Sequence, residues 1–78
     1  MPNADLVQRI TVDPNVCGGK PCVRSTRIYI AIILDGLAAG LSPEQVIDHY
    51  PQLTLDDIRA ALAYAAALAQ ENTWKLAG

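Results

Sequence analysis

The residues best suited to chemistry lie in one short stretch, between positions 17 and 27, which includes both cysteines of the chain. Cys17 and Cys22 are separated by four residues, and His49 is the single histidine. A structural zinc site needs four ligands, usually two cysteine pairs or cysteines combined with histidines. The pattern therefore predicts no metal site, and we interpret the cysteines as free thiols, with an oxidisable pair as the alternative. His49 is interpreted as a surface residue near a helix end.

The same stretch carries the basic cluster of the sequence. Lys20, Arg24 and Arg27 lie close together along the chain, beside the hydroxyl of Thr26. Guanidinium, ammonium and hydroxyl groups are the side chains that most often contact phosphate groups and acidic partners. We therefore predict that Lys20, Arg24, Thr26 and Arg27 bind DNA or another anion.

Two other interpretations of the basic cluster stay open. Its arginines could pair with Asp35 or Asp48 in a solvated loop, or the cluster could hold an anion during catalysis. The sequence argues against catalysis, because Gly18, Gly19 and Lys20 lack the first glycine, the spacing and the hydroxyl residue of a phosphate-binding loop. We expect no enzyme activity, no catalytic residues and no cofactor.

Charge is distributed unevenly along the chain. Six basic and eight acidic side chains give the 78 residues a net charge of −2, with a pI near 5.0. Residues 1–27 carry four basic and two acidic side chains, a charge of +2, so the remaining residues carry −4. This balance argues against a protein that coats nucleic acid or membrane surfaces. Because no signal peptide and no membrane-spanning apolar run is visible, we expect a cytoplasmic protein.

Local capping signals predict three helices. Gly40 follows an apolar run and supplies the left-handed residue that commonly ends a helix. Ser42, Pro43 and Gln45 predict a capping box with proline at the first helical position, so a second helix begins there. Thr54 predicts the N-cap of a third helix. The predicted helices cover residues 29–39, 43–50 and 55–72.

The pattern of residues 9–27 predicts a short β-ribbon, which contains the basic cluster. Ile10 and Val12 alternate with polar residues before a turn, and residues 22–24 form a second candidate strand. The whole pattern predicts a mainly α fold, with a tri-helical helix-turn-helix body over residues 28–72 and a short N-terminal ribbon. At this length we expect one domain, covering residues 1–78.

The third helix carries two apolar stripes at helical spacing. The stripe predicted to face the core consists of Leu55, Ile58, Leu62, Ala65 and Ala69. Alanine permits close helix approach, and symmetric dimers are the commonest way to bury an additional stripe. The predicted interface with a second copy or another partner consists of Ala61, Tyr64, Ala65 and Leu68. The alternative is that Tyr64 packs on its own domain.

The order of the motifs along the chain is more specific than any one of them. GGKPCVRSTRI is followed by an apolar helix and then by AAGLSPEQVIDHYPQLTLDDIRAALAYA. This combination resembles the small bacterial domain-of-unknown-function family 433, over about Ile10 to Ala67. Ser25 and Tyr29 depart from the glycine and proline that are common in the family. The resemblance implies a homeodomain-like or winged-helix-like fold, frequently dimeric, in proteins similar to VapB-type antitoxins.

What the resemblance implies about function is an antitoxin of a type II toxin-antitoxin pair. Such a protein neutralises a PIN-like ribonuclease toxin by protein contact and binds its operator DNA. A stand-alone DNA-binding regulator and a protein-binding adaptor are the alternatives. Asp56 and Asp57 would repel phosphate if the start of the third helix entered a major groove, and Arg59 is the only basic residue of that helix. We therefore expect DNA binding to be weak and to depend on dimerisation or on a toxin complex.

Overall fold

The computed structural model describes residues 4–71, which form a mainly helical fold with a two-stranded antiparallel sheet. The elements are α1 (Ala4–Val7), β1 (Ile10–Thr11), a 3₁₀ turn (Cys17–Gly19), β2 (Cys22–Val23), α2 (Ile30–Ala38), α3 (Pro43–His49) and α4 (Leu55–Glu71). The predicted ribbon and three longer helices are confirmed, whereas α1 was not predicted. The predicted end of the third helix at Asn72 lies outside the described residues. No helix between positions 4 and 71 is long and apolar enough to span a bilayer.

The ribbon is fixed by backbone hydrogen bonds on both sides of β2. Its register pairs Ile10 with Val23 and Thr11 with Cys22. On the opposite side of β2, the N–H of Val23 donates to the carbonyl oxygen of Ile28 at 2.9 Å, and the N–H of Ile30 donates to Pro21 at 3.0 Å. Arg24, predicted to lie in the second strand, lies in the turn after it. This double pairing connects β2, and the turn that follows it, to both β1 and the start of α2.

The end of α2 is determined by a glycine. Gly40 has a φ of +100°, a conformation that costs a residue without Cβ little. Its N–H donates to the carbonyl oxygen of Leu37 at 3.0 Å, and the N–H of Leu41 donates to Gly36 at 3.1 Å. This pair of bonds is the Schellman motif, which satisfies carbonyl groups that the helix leaves open. The predicted helix end at this glycine is confirmed.

The start of α3 is the predicted capping box. The Ser42 hydroxyl accepts from the N–H of Gln45 at 3.2 Å, and the Gln45 side-chain oxygen accepts from the N–H of Ser42 at 2.8 Å. Pro43 occupies the first helical position, where its missing N–H costs nothing. Leu41, just before the cap, packs against the core that contains Val46, as is typical of a hydrophobic staple.

The hydrophobic core lies where the ribbon, α2, α3 and α4 meet. The core residues are Ile10, Val23, Ile30, Ile33, Val46, Leu53, Ile58, Ala60 and Ala61. Within α2, Ile30 and Ile33 are buried, and Leu34 and Leu37 pack against the core. Helix α4 is the central element, since it packs against α1, α2, α3 and β1.

The rotation of α4 about its axis differs from the sequence prediction. Ile58 is buried as predicted, but Leu55 and Leu62 of the predicted core stripe are 46% and 47% exposed. Ala61, assigned to a partner interface, is fully buried, and Tyr64 packs against the core. The alternative placement of Tyr64 on its own domain is therefore correct, and the prediction that Leu55 and Leu62 face the core is wrong.

The physical reason for this rotation is a buried polar contact. Asp57 is 2% exposed and lies on the inner face of α4. Its carboxylate accepts from the guanidinium of Arg9, which lies just before β1. Apolar periodicity alone does not distinguish the two stripes, because alanine fits a core or a surface equally well. The position of the carboxylate turns the alanine side of the helix inward and leaves the leucines outside.

Candidate functional site

The basic loop, defined here as residues 20–27, contains β2 and the tight turn that follows it. The N–H of Arg27 donates to the carbonyl oxygen of Val23 at 2.7 Å, which closes the turn. Arg27 adopts a φ of +59°, in the left-handed region that non-glycine residues rarely occupy. The Thr26 hydroxyl accepts from the N–H of Ile28 at 3.2 Å. The hydroxyl predicted to bind an anion therefore also holds the turn in shape.

Arg24 braces the basic loop against the N-terminal segment. Its Nε donates to the carbonyl oxygen of Gln8 and its Nη2 donates to that of Ile10, both at 3.3 Å. These bonds use part of the guanidinium donor set, which has five N–H groups. Arg24 also lines a polar cleft of about 380 Å³. The cleft is lined by Asp5, Gln8, Arg9, Arg24, Ser25 and Asp57. The sequence did not indicate this bracing role, because the acceptors are backbone carbonyls.

All three cations of the basic loop, Lys20, Arg24 and Arg27, are exposed, but Arg24 is engaged by the backbone carbonyls of Gln8 and Ile10. The Lys20 ammonium lies 5.9 Å from the centroid of the Tyr29 ring, within range of a cation–π interaction. Neither Asp35 nor Asp48 pairs with the loop, because the ion pairs within residues 4–71 all lie at the start of α4. The interpretation of the loop arginines as partners of these two aspartates is therefore wrong. Binding of DNA or another anion by the loop stays a prediction.

The start of α4 contains the ion-pair cluster that sequence reasoning missed. Asp57 accepts from Arg9 Nη1 at 3.2 Å and from the backbone N–H of Thr54 at 3.0 Å. Asp56 lies 3.5 Å from Arg9 Nη2 and 3.6 Å from Arg59 Nη1. The signal was present, because a threonine cap with an acid three residues later is a capping-box pattern. Since Asp57 is buried, only Asp56 of the two presents its charge at the surface.

The outer face of α4 carries a shallow groove, called here the outer groove. It has a volume of about 340 Å³ and lies between α1 and α4. The groove is lined by Leu6, Arg59, Leu62, Ala63 and Ala66. Leu55 lies one turn before Arg59 and extends the same apolar stripe. Large exposed apolar side chains that share one face are typical of binding surfaces.

The four residues predicted to form an interface do not share one exposed surface. Ala61 is fully buried and Tyr64 is half-buried against the core, whereas Ala65 is half-buried and Leu68 is 43% exposed. The correction follows from the rotation of α4, which turns the predicted interface stripe toward the core. The apolar surface available to a partner is instead the outer groove together with Leu55.

The two cysteines lie next to each other, Cys22 within the basic loop and Cys17 in the 3₁₀ turn before it. Their sulfur atoms are 2.8 Å apart, and the Cys17 thiol donates to the carbonyl oxygen of Arg27 at 3.3 Å. Cys22 is fully buried, and burial, followed by its hydrogen bond and charge interaction with Cys17, raises its pKa to about 11. Among residues 4–71 there is no group of three or more His, Cys, Asp and Glu side chains that could hold a metal ion.

The fold and these surfaces define a class: small, α-rich proteins in which a two-stranded ribbon packs on a central alanine-rich helix. Residues 10–65 match the model of the family described as "Protein of unknown function (DUF433)". The chain belongs to the DUF433 family, as its motifs predicted.

A relative and a solved structure agree with this assignment. "Uncharacterized protein y4eO" of Sinorhizobium fredii (strain NBRC 101917 / NGR234) is 38% identical over 58 residues, which cover 74% of this chain and 26% of the relative. The chain thus spans about a quarter of the length of that relative. The crystal structure of a DUF433 member protein from Anabaena variabilis ATCC 29413 is 28% identical, with a TM-score of 0.71. The match covers 90% of this chain and 70% of that chain.

Proposed function

We propose that this chain is a protein-binding module of the antitoxin type, which neutralises a PIN-like ribonuclease toxin by protein contact in the cytoplasm. The observation that carries the proposal is the outer groove of α4 with its half-exposed leucines. Exposed apolar stripes promote aggregation, so a surface that binds no partner usually carries polar side chains instead. The exposed leucines therefore favour a binding role for this groove.

The apolar contact alone would not hold a partner. Fully burying a half-exposed leucine contributes roughly 1 kcal/mol, so Leu55 and Leu62 together supply about 2 kcal/mol. A micromolar complex requires about 8 kcal/mol. The partner must therefore also contact the surroundings of the groove, which include the exposed guanidinium of Arg59 and the half-exposed carboxylate of Asp56.

Charge favours a basic partner. Residues 28–78 carry a net charge of −4. A ribonuclease must attract the phosphates of RNA, so the surface around its active site is basic. An acidic helical domain is complementary to such a surface, which speeds association and favours the correct partner over acidic competitors. The proposed mechanism is occlusion of the RNA-binding surface of the toxin by the face that contains the outer groove.

DNA binding is the second candidate function. In this case α3 and α4 would form a helix-turn-helix, and a homodimer would bind the operator DNA. Lys20 and Arg27 favour it, because both are exposed and make no ion pair within residues 4–71. The half-exposed Asp56 at the start of α4 opposes it. Replacing Lys20 and Arg27 together by alanine should weaken DNA binding on every sequence and lower its salt slope by up to about 2.

The antitoxin proposal is tested with a PIN-like ribonuclease isolated on the tagged full-length chain from cells of the source organism. RNA cleavage by that nuclease is measured with increasing wild-type chain, Leu62→Glu and Gln52→Glu. Leu62→Glu places a carboxylate in the outer groove, whereas Gln52→Glu adds the same charge at an exposed position outside α4.

Wild type and Gln52→Glu should inhibit RNA cleavage equally. Leu62→Glu should require at least about 100-fold more protein, because an unpaired carboxylate is costly to bury in an interface. Cleavage that continues at saturating wild-type chain would refute the antitoxin function. Equal inhibition by all three proteins would show that the partner binds elsewhere.

A further inference from the structure

The Cys17 and Cys22 thiols are held close together by the 3₁₀ turn and by β2, which is part of the basic loop. Cys22 lies in β2, whose backbone is paired with Thr11 on one side and with Tyr29 on the other. Cys17 begins the 3₁₀ turn with a φ of +55°, and its thiol donates to the carbonyl oxygen of Arg27. The two sulfur atoms are 2.8 Å apart. A disulfide requires about 2.0 Å between sulfurs, so bond formation needs less than about 1 Å of movement.

The backbone between the cysteines is able to supply this movement. Gly18 and Gly19 both adopt positive φ, at +63° and +85°, and a side chain at Gly18 would meet no atom within 4 Å. Glycine passes between such conformations more easily than other residues. Because Cys22 is fixed by the ribbon, we expect the adjustment to occur on the Cys17 side of the pair.

The two thiols differ in their access to solvent. Cys17 is half-buried and reaches solvent, whereas Cys22 is fully buried. Burial is the largest cause of the raised pKa of Cys22, about 11, so this thiol keeps its proton at neutral pH. The thiolate is the nucleophile in thiol–disulfide exchange. An external reagent should therefore react first at Cys17, and Cys22 should react only with the modified Cys17 of the same chain.

We propose that Cys17 and Cys22 form a reversible intramolecular disulfide, for which a low-molecular-weight disulfide is the oxidant. The Cys17 thiolate attacks one sulfur of the oxidant, forms a mixed disulfide and releases one thiolate. Cys22 then gives up its proton to solvent, and its thiolate attacks the Cys17 sulfur, breaks the mixed disulfide and releases the second thiolate. Each released thiolate takes up one of the two protons that the cysteines lose. The protein loses two electrons and two protons, and the oxidant is reduced to two thiols.

Oxidation would change the end of the basic loop. Once its sulfur is bonded to Cys22, Cys17 no longer donates to the carbonyl oxygen of Arg27. The new covalent ring encloses Lys20, one of the exposed cations of the loop. Oxidation therefore acts on the segment that carries Lys20 and Arg27, and the chemistry does not depend on the identity of any protein partner.

The test exposes the reduced full-length chain to oxidised glutathione and follows intact mass and free thiols. Wild type should lose two hydrogen atoms in mass and both titratable thiols, and reduction should restore them. Cys22→Ser should stop at a stable glutathione adduct on Cys17, because no second sulfur resolves it. Cys17→Ser should gain no adduct while folded, since the remaining thiol is buried.

Three results would overturn the proposal: wild type that keeps both thiols, wild type that stops at a glutathione adduct, and disulfide-linked dimers on a non-reducing gel. Circular dichroism establishes that each variant is folded. If Cys22→Ser unfolds, because it places a hydroxyl in a buried site, Cys22→Ala is used in its place. The measurement on wild type needs no variant and decides the outcome by itself.

Discussion

The two faces of α4 reverse the usual rule that charged side chains are exposed and large apolar side chains are buried. The inner face buries a carboxylate, Asp57, beside Ala60 and Ala61, whereas the outer face exposes Leu55 and Leu62. A leucine is larger and more apolar than an alanine, so transfer energies alone would place the leucines inside. The observed orientation shows that another requirement determines which side faces the core.

That requirement combines a polar anchor with close packing. The Asp57 carboxylate caps the start of its own helix through Thr54 and accepts from Arg9, so its burial is compensated by hydrogen bonds. Small side chains beside it let α4 approach several elements at once, because Ala60 and Ala61 occupy little space. A leucine at either alanine position would separate these elements. The orientation of a helix can thus be determined by one satisfied buried charge.

The largest predicted difference between the faces comes from removing the anchor. Asp57→Ala removes the carboxylate that accepts from the Thr54 N–H and from Arg9, and losing these two charge-assisted hydrogen bonds should lower the unfolding free energy by about 3 kcal/mol. Leu62→Ala, on the outer face, should cost less than about 1 kcal/mol. Urea unfolding followed by circular dichroism measures both. A larger cost for Leu62→Ala than for Asp57→Ala would show that the assignment of the faces is wrong.

A second comparison makes one substitution on both faces. Ala61→Leu adds volume to a fully buried position and should destabilise the protein by about 2 kcal/mol. Ala66→Leu makes the same change at an exposed position of the outer groove and should stay within about 0.5 kcal/mol of wild type. Thermal unfolding of the two variants compares them directly. Equal destabilisation would indicate that both faces of α4 are packed.

The smallest expected effect on stability is that of Leu62→Glu, which tests whether the outer face is shared with a second copy. The variant should change the unfolding free energy of the monomer by less than about 0.5 kcal/mol. Because the outer groove is proposed to bind the toxin, we expect wild type and Leu62→Glu to sediment as the same species at about 100 μM. Gln52→Glu serves as the charge-matched control. A wild-type dimer that Leu62→Glu dissociates would show that a second copy, and not the toxin, covers the groove.

Helix positions along the chain were predictable because their determinants are local. Gly40, Ser42 with Gln45, and Thr54 each act within one turn of helix, and every one of these ends lies where the sequence predicted it. The ribbon was predictable for the same reason, since alternation and turn residues lie next to each other in sequence.

The rotation of α4 was not predictable, because it depends on contacts between distant parts of the chain. The inner and outer stripes both repeat at helical spacing, so periodicity gives no preference between Tyr64 and Leu62. The deciding contact joins Arg9 to Asp57, and nothing near either residue indicates the other. The bracing role of Arg24 was hidden similarly, because the backbone carbonyls that it contacts carry no sequence signal.

The long sequence separation between Arg9 and Asp57 also has a kinetic consequence. The two residues are 48 positions apart, whereas the hydrogen bonds of the α3 capping box span three. Closing a long loop costs more chain entropy than closing a short one, so local turns tend to form before distant contacts. We expect Arg9→Ala to accelerate unfolding and to leave the folding rate nearly unchanged, as stopped-flow measurements would show. The contact would then form after the transition state for folding, so that it slows unfolding and lengthens the lifetime of the folded state.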